Sequence, residues 1–304
     1  MRVVAALGGN ALLRRGEPAD AATQRRNVDA AAASLAALAA EHDLVVTHGN
    51  GPQVGLLALQ AEAYHDVAPY PLDVLGAESE GMVGYLIEQG LRNRLPGRET
   101  ATLLTQVVVD AGDPAFGAPT KPIGPVYEAA RGRALASERG WTLAPDGPGW
   151  RRVVPSPEPR RIVELSAIRT LVDAGVVVTC AGGGGVPVIE DPDGRLAGVE
   201  AVIDKDLAAA LLARELDADA LLLLTDVEGV EIDYGTPSAR RLRAATPADL
   251  RALDLPAGSM GPKAEAAARF VDAGGLLAAI CSLDHAAAAL AGGAGTLVRE
   301  VVHA

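Results

Sequence analysis

The chain has 304 residues, enough for one large α/β domain or two lobes. Hydrophobic residues make up 49% of it and aromatic residues only 3%, so Ala, Val and Leu must form the core. A net charge of −12 excludes nucleic acid and anionic membranes as expected partners. No apolar run predicts a membrane-spanning helix, and the chain begins directly with a strand-like run, which predicts a cytoplasmic protein.

Apolar strand-like runs alternate with Ala-rich helical stretches, a pattern typical of a parallel sheet covered by helices. The predicted strands are Val3–Leu7, Leu44–Thr47, Thr102–Val109, Val176–Ala181, Ala220–Leu224 and Leu276–Cys281. The predicted helices are Ala21–Glu41, Val54–Tyr64, Val74–Arg94, Arg161–Ala174, Leu207–Leu216, Pro247–Leu253, Pro262–Ala273 and His285–Leu290. We expect Asp20 and Asp284 to be N-caps and Gly175 to be a C-cap.

One segment, Ala111–Pro159, breaks this alternation. It is rich in Pro, Gly, Arg and Trp, and so long a loop is improbable inside a compact domain. We interpret it as a small protruding subdomain or lid that presents Lys121 from a proline-framed turn. The alternative is a disordered insertion. A second, shorter irregular excursion is expected at Asp233–Ala245.

Three predicted strands end in glycine-rich turns, at the edge where open parallel sheets bind ligands. The turns contain Gly8, Gly9 and Asn10, then Gly49, Asn50 and Gly51, and finally Gly182, Gly183 and Gly184. Glycine lets backbone N–H groups converge on an anion without a Cβ in the way. One such turn is weak evidence, but three predict an anion site.

Only three of the 27 Lys and Arg residues are lysines: Lys121, Lys205 and Lys263. An ammonium is a compact point charge suited to phosphate oxygens, so the lysines beside glycine-rich turns predict a site for a transferring phosphoryl group. Chance survival in an arginine-biased chain is the alternative. Asp206, next to Lys205, is predicted either to orient the lysines or to meet a nucleotide-bound magnesium ion.

A further strand-end turn, Thr225-Asp226-Val227, lies at the same predicted edge and is suited to a base or ribose. Met260 and Lys263 open a later helix. A cation at a helix start opposes the helix dipole, which makes sense if a phosphate lies there. No G-x-x-x-x-G-K-[ST], G-x-G-x-x-G, H-R-D or G-x-S-x-G pattern supports a P-loop enzyme, dehydrogenase, protein kinase or hydrolase. The two cysteines lie in apolar runs and the five histidines are scattered, so neither a disulfide framework nor a zinc site is expected.

With these motifs in view, the chain resembles the carbamate kinases of the amino-acid kinase superfamily over nearly its whole length. The matching segments are Ala6–Leu12, Thr47–Gly55, Thr105–Asp110, Asp113–Phe116, Pro119–Pro125, Arg151–Pro157, Gly182–Ile189, Gly198–Asp206, Thr225–Val227 and Gly258–Lys263. The Gly-Gly-Asn turn and the Thr-Lys-Pro-Ile-Gly-Pro segment are specific to carbamate kinases, whereas sister enzymes typically carry a lysine in place of Asn10.

The resemblance implies a three-layer αβα sandwich with a mainly parallel sheet and a small protruding lid. It implies a single domain, 1–304, with a carbamate-side lobe at 1–175, a lid at about 111–159 and a nucleotide-side lobe at 176–304. It also implies a homodimer. The implied reaction is reversible phosphoryl transfer from carbamoyl phosphate to MgADP, giving ATP and carbamate, in the ATP-forming direction of arginine catabolism.

The resemblance also implies roles for individual residues. Gly8, Gly9, Asn10, Gly49, Asn50 and Gly51 would surround carbamate and the phosphoryl group, together with Gly182, Gly183 and Gly184. Lys121, Lys205, Asp206 and Lys263 would be catalytic, with Lys121 supplying the charge that sister kinases have at position 10. Thr225, Asp226, Val227, Met260, Lys205 and Lys263 would border the nucleotide, and Mg²⁺ would accompany it, with Asp206 as its nearest protein group.

The chain departs from the family at Glu231, where members usually carry an aromatic residue beside the adenine. Two alternatives to a carbamate kinase remain. One is a sister kinase acting on another carboxylate or acyl substrate, which a lysine at position 10 would have favoured. The other is a non-catalytic sensor of nucleotide or carbamoyl phosphate, which the loss of a lysine would have favoured.

Overall fold

The computed structural model describes residues 1–13, 16–18, 20–64, 66–256 and 258–301. Its strands are β1 Arg2–Leu7, β2 Asp43–His48, β3 Thr100–Thr102, β4 Gln106–Val109, β5 Lys121–Tyr127, β6 Leu143–Asp146, β7 Gly149–Val154, β8 Pro159–Ile162, β9 Val177–Thr179, β10 Val186–Glu190, β11 Leu196–Gly198, β12 Ala220–Thr225, β13 Glu231–Ile232, β14 Arg240–Arg241, β15 Ala244–Ala245, β16 Leu277–Ser282 and β17 Thr296–Val298. Its α-helices are α1 Gly9–Leu12, α2 Ala21–Glu41, α3 Gly51–Ala63, α4 Leu72–Arg92, α5 Ala129–Arg139, α6 Leu165–Asp173, α7 Lys205–Glu215, α8 Pro247–Arg251, α9 Met260–Asp272 and α10 Ala286–Leu290.

A large sheet forms the centre of the molecule, with strands in the order β15-β17-β16-β12-β1-β2-β9-β3. Neighbouring strands run parallel except for β16 and β17, which are antiparallel. The central strands are buried on both faces, so they are nearly continuous aliphatic runs, as is usual for parallel sheets. The predicted α/β class with a mainly parallel sheet is confirmed.

The side chains of β1 show how the sheet separates two cores. Val4 and Ala6 pack on one face, with α6, α7, α8 and α9. Val3, Ala5 and Leu7 pack on the other face, with α2, α4 and α10. Because strand side chains alternate between faces, one aliphatic strand contributes to both cores and yields the three-layer sandwich. Burial of each Val or Leu stabilises this arrangement by roughly 1.5–3 kcal/mol.

Of the three predicted helix caps, Asp20 is confirmed, and Gly175 lies one residue beyond the C-cap of α6, which is Ala174. Asp20 is the N-cap of α2, and its side chain accepts a hydrogen bond from Thr23 N. Gly175 follows α6 with a φ of +82°. Val176 N there donates to Leu171 O, closing the helix in the manner of a Schellman motif. The predicted N-cap role of Asp284 is wrong, because Asp284 lies inside a 3₁₀ turn that Ser282 precedes.

Two predicted elements are wrong in their extent because the chain changes sheet. The segment Thr102–Val109 is not one strand: β3 belongs to the central sheet, and β4 belongs to a second sheet of order β11-β10-β4-β8. The predicted helix Arg161–Ala174 begins only at Leu165, since Arg161 and Ile162 pair with β4 as part of β8. At the crossing between the two sheets, Thr105 N donates to Glu80 Oε2 of α4 at 3.3 Å. The expected excursion Asp233–Ala245 contains β14 of a short two-stranded hairpin.

Residues 121–154 form a separate antiparallel sheet of order β5-β7-β6, with α5 between β5 and β6; we call this the three-stranded subdomain. Trp141 lies within it, and the guanidinium groups of Arg139 and Arg152 lie 5.5 and 4.6 Å from its ring centroid. Lys121 begins β5 and pairs with Val154 at the end of β7. The chain therefore enters and leaves the subdomain at this pair of residues. The prediction of a turn around Lys121 is therefore wrong.

Within the described residues, no helix is both long and apolar enough to cross a membrane.

Candidate active site

The glycine-rich turns meet at the carboxyl edge of the central sheet. Leu7 of β1 is in register with His48 of β2 on one side and Leu224 of β12 on the other. Gly8 N donates to Leu224 O at 2.8 Å, and Gly49 N donates to Leu7 O at 3.0 Å. Because the three strands are parallel, the turns that follow them lie side by side.

Close approach of backbone at this edge requires glycine. A Cβ at Gly49 would lie 3.1 Å from Gly9 N and 3.4 Å from Lys205 Cδ. Gly184 has a φ of +96°, and a Cβ there would lie 2.6 Å from Ile203 O. The turn at Gly182–Gly184 therefore packs against the segment that leads into α7, and the side chain of Lys205 passes beside the turn after β2.

Asp206 joins two of the three lysines. Lys205 Nζ donates to Asp206 Oδ1 at 2.6 Å, and Lys263 Nζ donates to Asp206 Oδ2 at 2.9 Å. The Asp206 side chain is 4% exposed and each lysine side chain 12% exposed. A buried carboxylate thus brings the start of α7 and the start of α9 together. Of the two predicted roles for Asp206, this geometry favours orienting the lysines, and the metal role stays a prediction.

The charged groups in this cluster shift one another's pKa values. Burial by itself raises the pKa of Asp206, but Lys205 and Lys263 outweigh it and bring that pKa down to about 2. Burial lowers the pKa of Lys205 to about 8, and the nearby charge of Lys263 adds to the lowering. For Lys263, burial is outweighed by Asp206, so its pKa is raised. One carboxylate shared by two ammonium groups explains why the two lysines shift in opposite directions.

Lys121 reaches the same helix from the three-stranded subdomain. Its Nζ donates to Asp204 Oδ2 at 2.6 Å. The other oxygen of Asp204 caps α7, accepting from Asp206 N at 2.9 Å and Leu207 N at 3.3 Å. Burial raises the pKa of Asp204, but the neighbouring cations, Lys121 first, outweigh it, so the pKa lies below its usual value.

Helix α4 supports the glycine-rich turns from behind. Ser79 Oγ accepts from Asn50 Nδ2 at 2.8 Å, and this amide packs against Gly183, where any Cβ would overlap it. Glu80 Oε1 accepts from Gly182 N at 2.8 Å. Glu80 Oε2 accepts from Thr105 N at 3.3 Å, at the crossing from β3 to β4. Adjacent buried polar residues on one helix thus hold two of the turns.

Sequence reasoning missed Ser79 and Glu80, and it noted His48 and Asp204 within motifs without giving either residue a role. The sequence carried a signal for Glu80, an acidic residue among the apolar positions of α4, and in the structure Glu80 is 1% exposed. Burial raises its pKa to about 8, against the lowering effect of the hydrogen bonds from Gly182 and Thr105. Burial lowers the pKa of His48 to about 4. The imidazole is therefore neutral near pH 7 and donates from Nδ1 to Gly49 O at 3.0 Å.

The residues predicted to border the nucleotide lie at the same edge. Thr225 ends β12, its Oγ1 donates to Asp226 Oδ1 at 3.1 Å, and Val227 is 37% exposed. Met260 is the first residue of α9 and packs against the core cluster that contains α7 and α9. The side chain of Asn10 lies outside the described part of the structure.

A family model described as "Amino acid kinase family" matches residues 1–282. The chain belongs to the amino acid kinase family. Within this family it is similar to the carbamate kinase of Rhizobium meliloti, at 54% identity over 98% of this chain and 93% of that protein. The carbamate kinase of Haemophilus influenzae is 52% identical, over 99% of this chain and 97% of that protein. The predicted resemblance to carbamate kinases is confirmed.

Solved structures agree with the family assignment. The carbamate kinase of Giardia lamblia bound to AMP-PNP superposes with a TM-score of 0.89 and 43% identity, covering 98% of each chain. An N-acetylglutamate synthase from Neisseria gonorrhoeae has a TM-score of 0.61 at 17% identity and shares the fold alone. The predicted amino-acid kinase fold is therefore confirmed.

A kinase that uses ATP or ADP implies a divalent metal ion. Among the described residues, no group of three or more His, Cys, Asp or Glu side chains could hold such an ion by itself. Both oxygens of Asp206 already accept from lysines. These donors fit an ion carried chiefly by nucleotide phosphates and water, as is usual for magnesium, rather than a metal site built by the protein.

Proposed function

We propose that this protein is a carbamate kinase that transfers a phosphoryl group reversibly between carbamoyl phosphate and MgADP, giving ATP and carbamate. Two relatives more than 50% identical over nearly the whole chain support this activity. The observation that carries the proposal is the carboxylate of Asp206, which holds Lys205 and Lys263 side by side at the strand ends.

The cluster suits the charge of a phosphoryl group in transfer. That charge spreads over three oxygens, and a protein catalyses transfer mainly by positioning and neutralising it. Lys121, Lys205 and Lys263 face two carboxylates, those of Asp204 and Asp206. One positive charge is in excess before any anion binds. We assign Lys205 and Lys263 to the phosphoryl group and the nucleotide phosphates, and Lys121 to the carbamoyl phosphate side.

The glycine-rich turns complete the anion site in this proposal. Gly8, Gly9, Gly49, Asn50 and Gly51 would enclose carbamate and the phosphoryl group, and Asn10 would stand where sister kinases place a lysine. Gly182, Gly183 and Gly184 would close the opposite side, because their turn packs against Asn50 and Ile203. The N–H groups of Gly8, Gly49 and Gly182 already donate within the protein, so hydrogen bonds to the anion would come from other backbone N–H groups of these turns, which add no charge.

The nucleotide would lie against Thr225, Asp226, Val227 and Met260. A bound Mg²⁺ would neutralise phosphate oxygens of the nucleotide, and Asp206 would contribute to it only through the lysines it orients. An oxygen of ADP attacks the phosphoryl group, and the carbamate oxygen leaves as an anion. No protein nucleophile is required, so the residues bind, orient and exclude water.

The test is ATP formation by the purified protein from ADP and carbamoyl phosphate, coupled to an ATP-dependent reporter. We expect turnover with carbamoyl phosphate and little with acetyl phosphate or acetylglutamyl phosphate. Lys205→Ala should lower kcat by roughly 10²–10³-fold with a smaller change in KM. Arg251→Ala, which removes an exposed cation paired with Glu265, is the matched control. Equal turnover with another acyl phosphate would assign the chain to a sister activity.

We further propose a cytoplasmic homodimer that works in the ATP-forming direction of arginine catabolism. The family resemblance of the whole chain supports this proposal. Light scattering coupled to size-exclusion chromatography tests the oligomer, and a mass near 31.0 kDa, that of a single chain, would contradict it. The ratio of forward to reverse kcat/KM at matched substrate concentrations tests the direction.

A further inference from the structure

We propose that Asp204 is a positioning residue for phosphoryl transfer, which holds the ammonium of Lys121 at the start of the helix that carries Lys205 and Asp206. This inference rests on the proposed function, because it concerns how Lys121 is placed for that reaction. Neither the sequence motifs nor the geometry around Asp206 had given Asp204 a role in the reaction.

The first support is that the two oxygens of Asp204 accept hydrogen bonds from different parts of the protein. Oδ1 accepts from Asp206 N and Leu207 N and therefore caps α7. Oδ2 accepts from Lys121 Nζ at 2.6 Å. One carboxylate thus fixes the first turn of α7 and the lysine from the three-stranded subdomain with the same rigid group.

The second support is the position of Lys121 in the chain. It begins β5 opposite Val154, where the two strands that enter the subdomain meet. Immediately after that pair, Pro155 O accepts from Val202 N at 2.9 Å. The ion pair therefore lies beside a backbone hydrogen bond that ties the same two segments together. Lys121 lies at the root of the subdomain, where movement of its outer part displaces it least.

The third support is that the contact leaves the lysine available. An ammonium has three N–H donors, and Asp204 takes one of them. The Lys121 side chain is 31% exposed, whereas the Asp204 side chain is 12% exposed. The carboxylate is thus fixed and the ammonium retains donors for oxygens of a bound anion. Asp204 accordingly positions Lys121 and does not sequester it.

The experiment uses Asp204→Asn, because asparagine caps a helix as well as aspartate and lacks the charge that holds Lys121. We expect kcat for ATP formation to fall roughly 10- to 100-fold, the loss found when a reacting group is misplaced. The affinity for MgADP, measured by calorimetry, should stay within about twofold, since Lys205 and Lys263 keep their partner Asp206. Asp204→Ser, which also caps and carries no charge, should behave alike and replaces Asp204→Asn if that variant does not fold.

A double-mutant cycle separates positioning from a general structural role. In a Lys121→Met background, Asp204→Asn should change kcat by less than about twofold, because the group through which it acts is gone. If the losses of kcat from Asp204→Asn and Lys121→Met multiply in the double variant, the proposal is overturned. An unchanged or higher kcat in Asp204→Asn would also overturn it, because that is the result expected if Asp204 sequestered Lys121. Asp20→Asn, at the N-cap of α2, is the control for exchanging a capping aspartate.

A measurement that needs no enzymatic turnover separates a failure of this inference from a failure of the proposed function. If the wild-type chain makes no ATP from carbamoyl phosphate, the proposed function fails, but the tie between Asp204 and Lys121 is still measurable. Limited proteolysis within residues 121–154 should then quicken equally in Asp204→Asn, Lys121→Met and the double variant. Cleavage rates that match the wild-type protein in all three would show that the contact does not hold the subdomain.

Discussion

Replacing Glu80 by glutamine should change how the stability of this protein depends on pH. Glu80 ionises near pH 4.5 in an unfolded chain, whereas burial raises its pKa to about 8 in the folded protein. Between those values the folded state binds more protons than the unfolded state. The free energy of unfolding therefore falls as pH rises, by up to about 1.4 kcal/mol per pH unit from this group. Glutamine does not titrate and removes that dependence.

A second effect of Glu80→Gln does not vary with pH. Gly182 N and Thr105 N each donate to a different oxygen of the Glu80 carboxyl group. Glutamine offers one oxygen, so its amide nitrogen faces an N–H donor and leaves it without a partner. An unpaired buried donor costs about 1–3 kcal/mol. The variant should therefore be the less stable protein at pH 5.5, and the gap should narrow or reverse as pH rises to 8.5.

The assay is urea unfolding at four pH values between 5.5 and 8.5, with the slope of stability against pH as the readout. Glu78→Gln is the matched control, because Glu78 is exposed on the same helix. We expect the control to keep the wild-type slope. A gap between Glu80→Gln and wild type that stays constant across this range would refute the reasoning, since it would mean that Glu80 has the same proton affinity in both states.

Three further outcomes are expected. Lys263→Ala should weaken MgADP binding by about 1.5–3 kcal/mol, the worth of a charge-assisted hydrogen bond, and calorimetry showing unchanged affinity would remove it from the nucleotide site. Because the pKa of Lys205 is lowered to about 8, kcat/KM, which reports ionisation of the free enzyme, should fall as pH rises through that value and the ammonium loses its proton; a flat profile to pH 9.5 would contradict this. Gly55→Ala should destabilise the fold by roughly 1–3 kcal/mol, because its Cβ would overlap the backbone of Gly124. Gly81→Ala is the control, because a Cβ at Gly81 meets open space, and equal thermal midpoints of the two variants would exclude the clash.

The candidate site combines residues that local patterns reveal with residues that they do not. A glycine-rich turn after an aliphatic strand is a local signal, and parallel strands bring such turns to one edge whatever the rest of the chain does. Lysines stood out in the same way, because the composition otherwise uses arginine. Asp204 and Glu80 gave weaker signals, an acidic residue beside Lys205 and an acidic residue among apolar helix positions, and neither signal indicates a partner. The partner of Asp204 is 83 residues away, and that of Glu80 at Gly182 is 102 residues away.

The amino-acid sequence by itself determined the class of fold and the motifs at the strand ends. Alternating aliphatic runs and Ala-rich helices specify layers through local periodicity, and the helix Ala21–Glu41 was predicted to the residue because Asp20 caps it. Only the tertiary structure decided where Thr102–Val109 breaks, because Glu80 holds Thr105 N at the crossing between two sheets. It also decided that Lys121 begins a strand opposite Val154. Such features depend on which distant groups satisfy a buried polar atom, and hydrogen-bond partners far apart in sequence leave no periodicity to read.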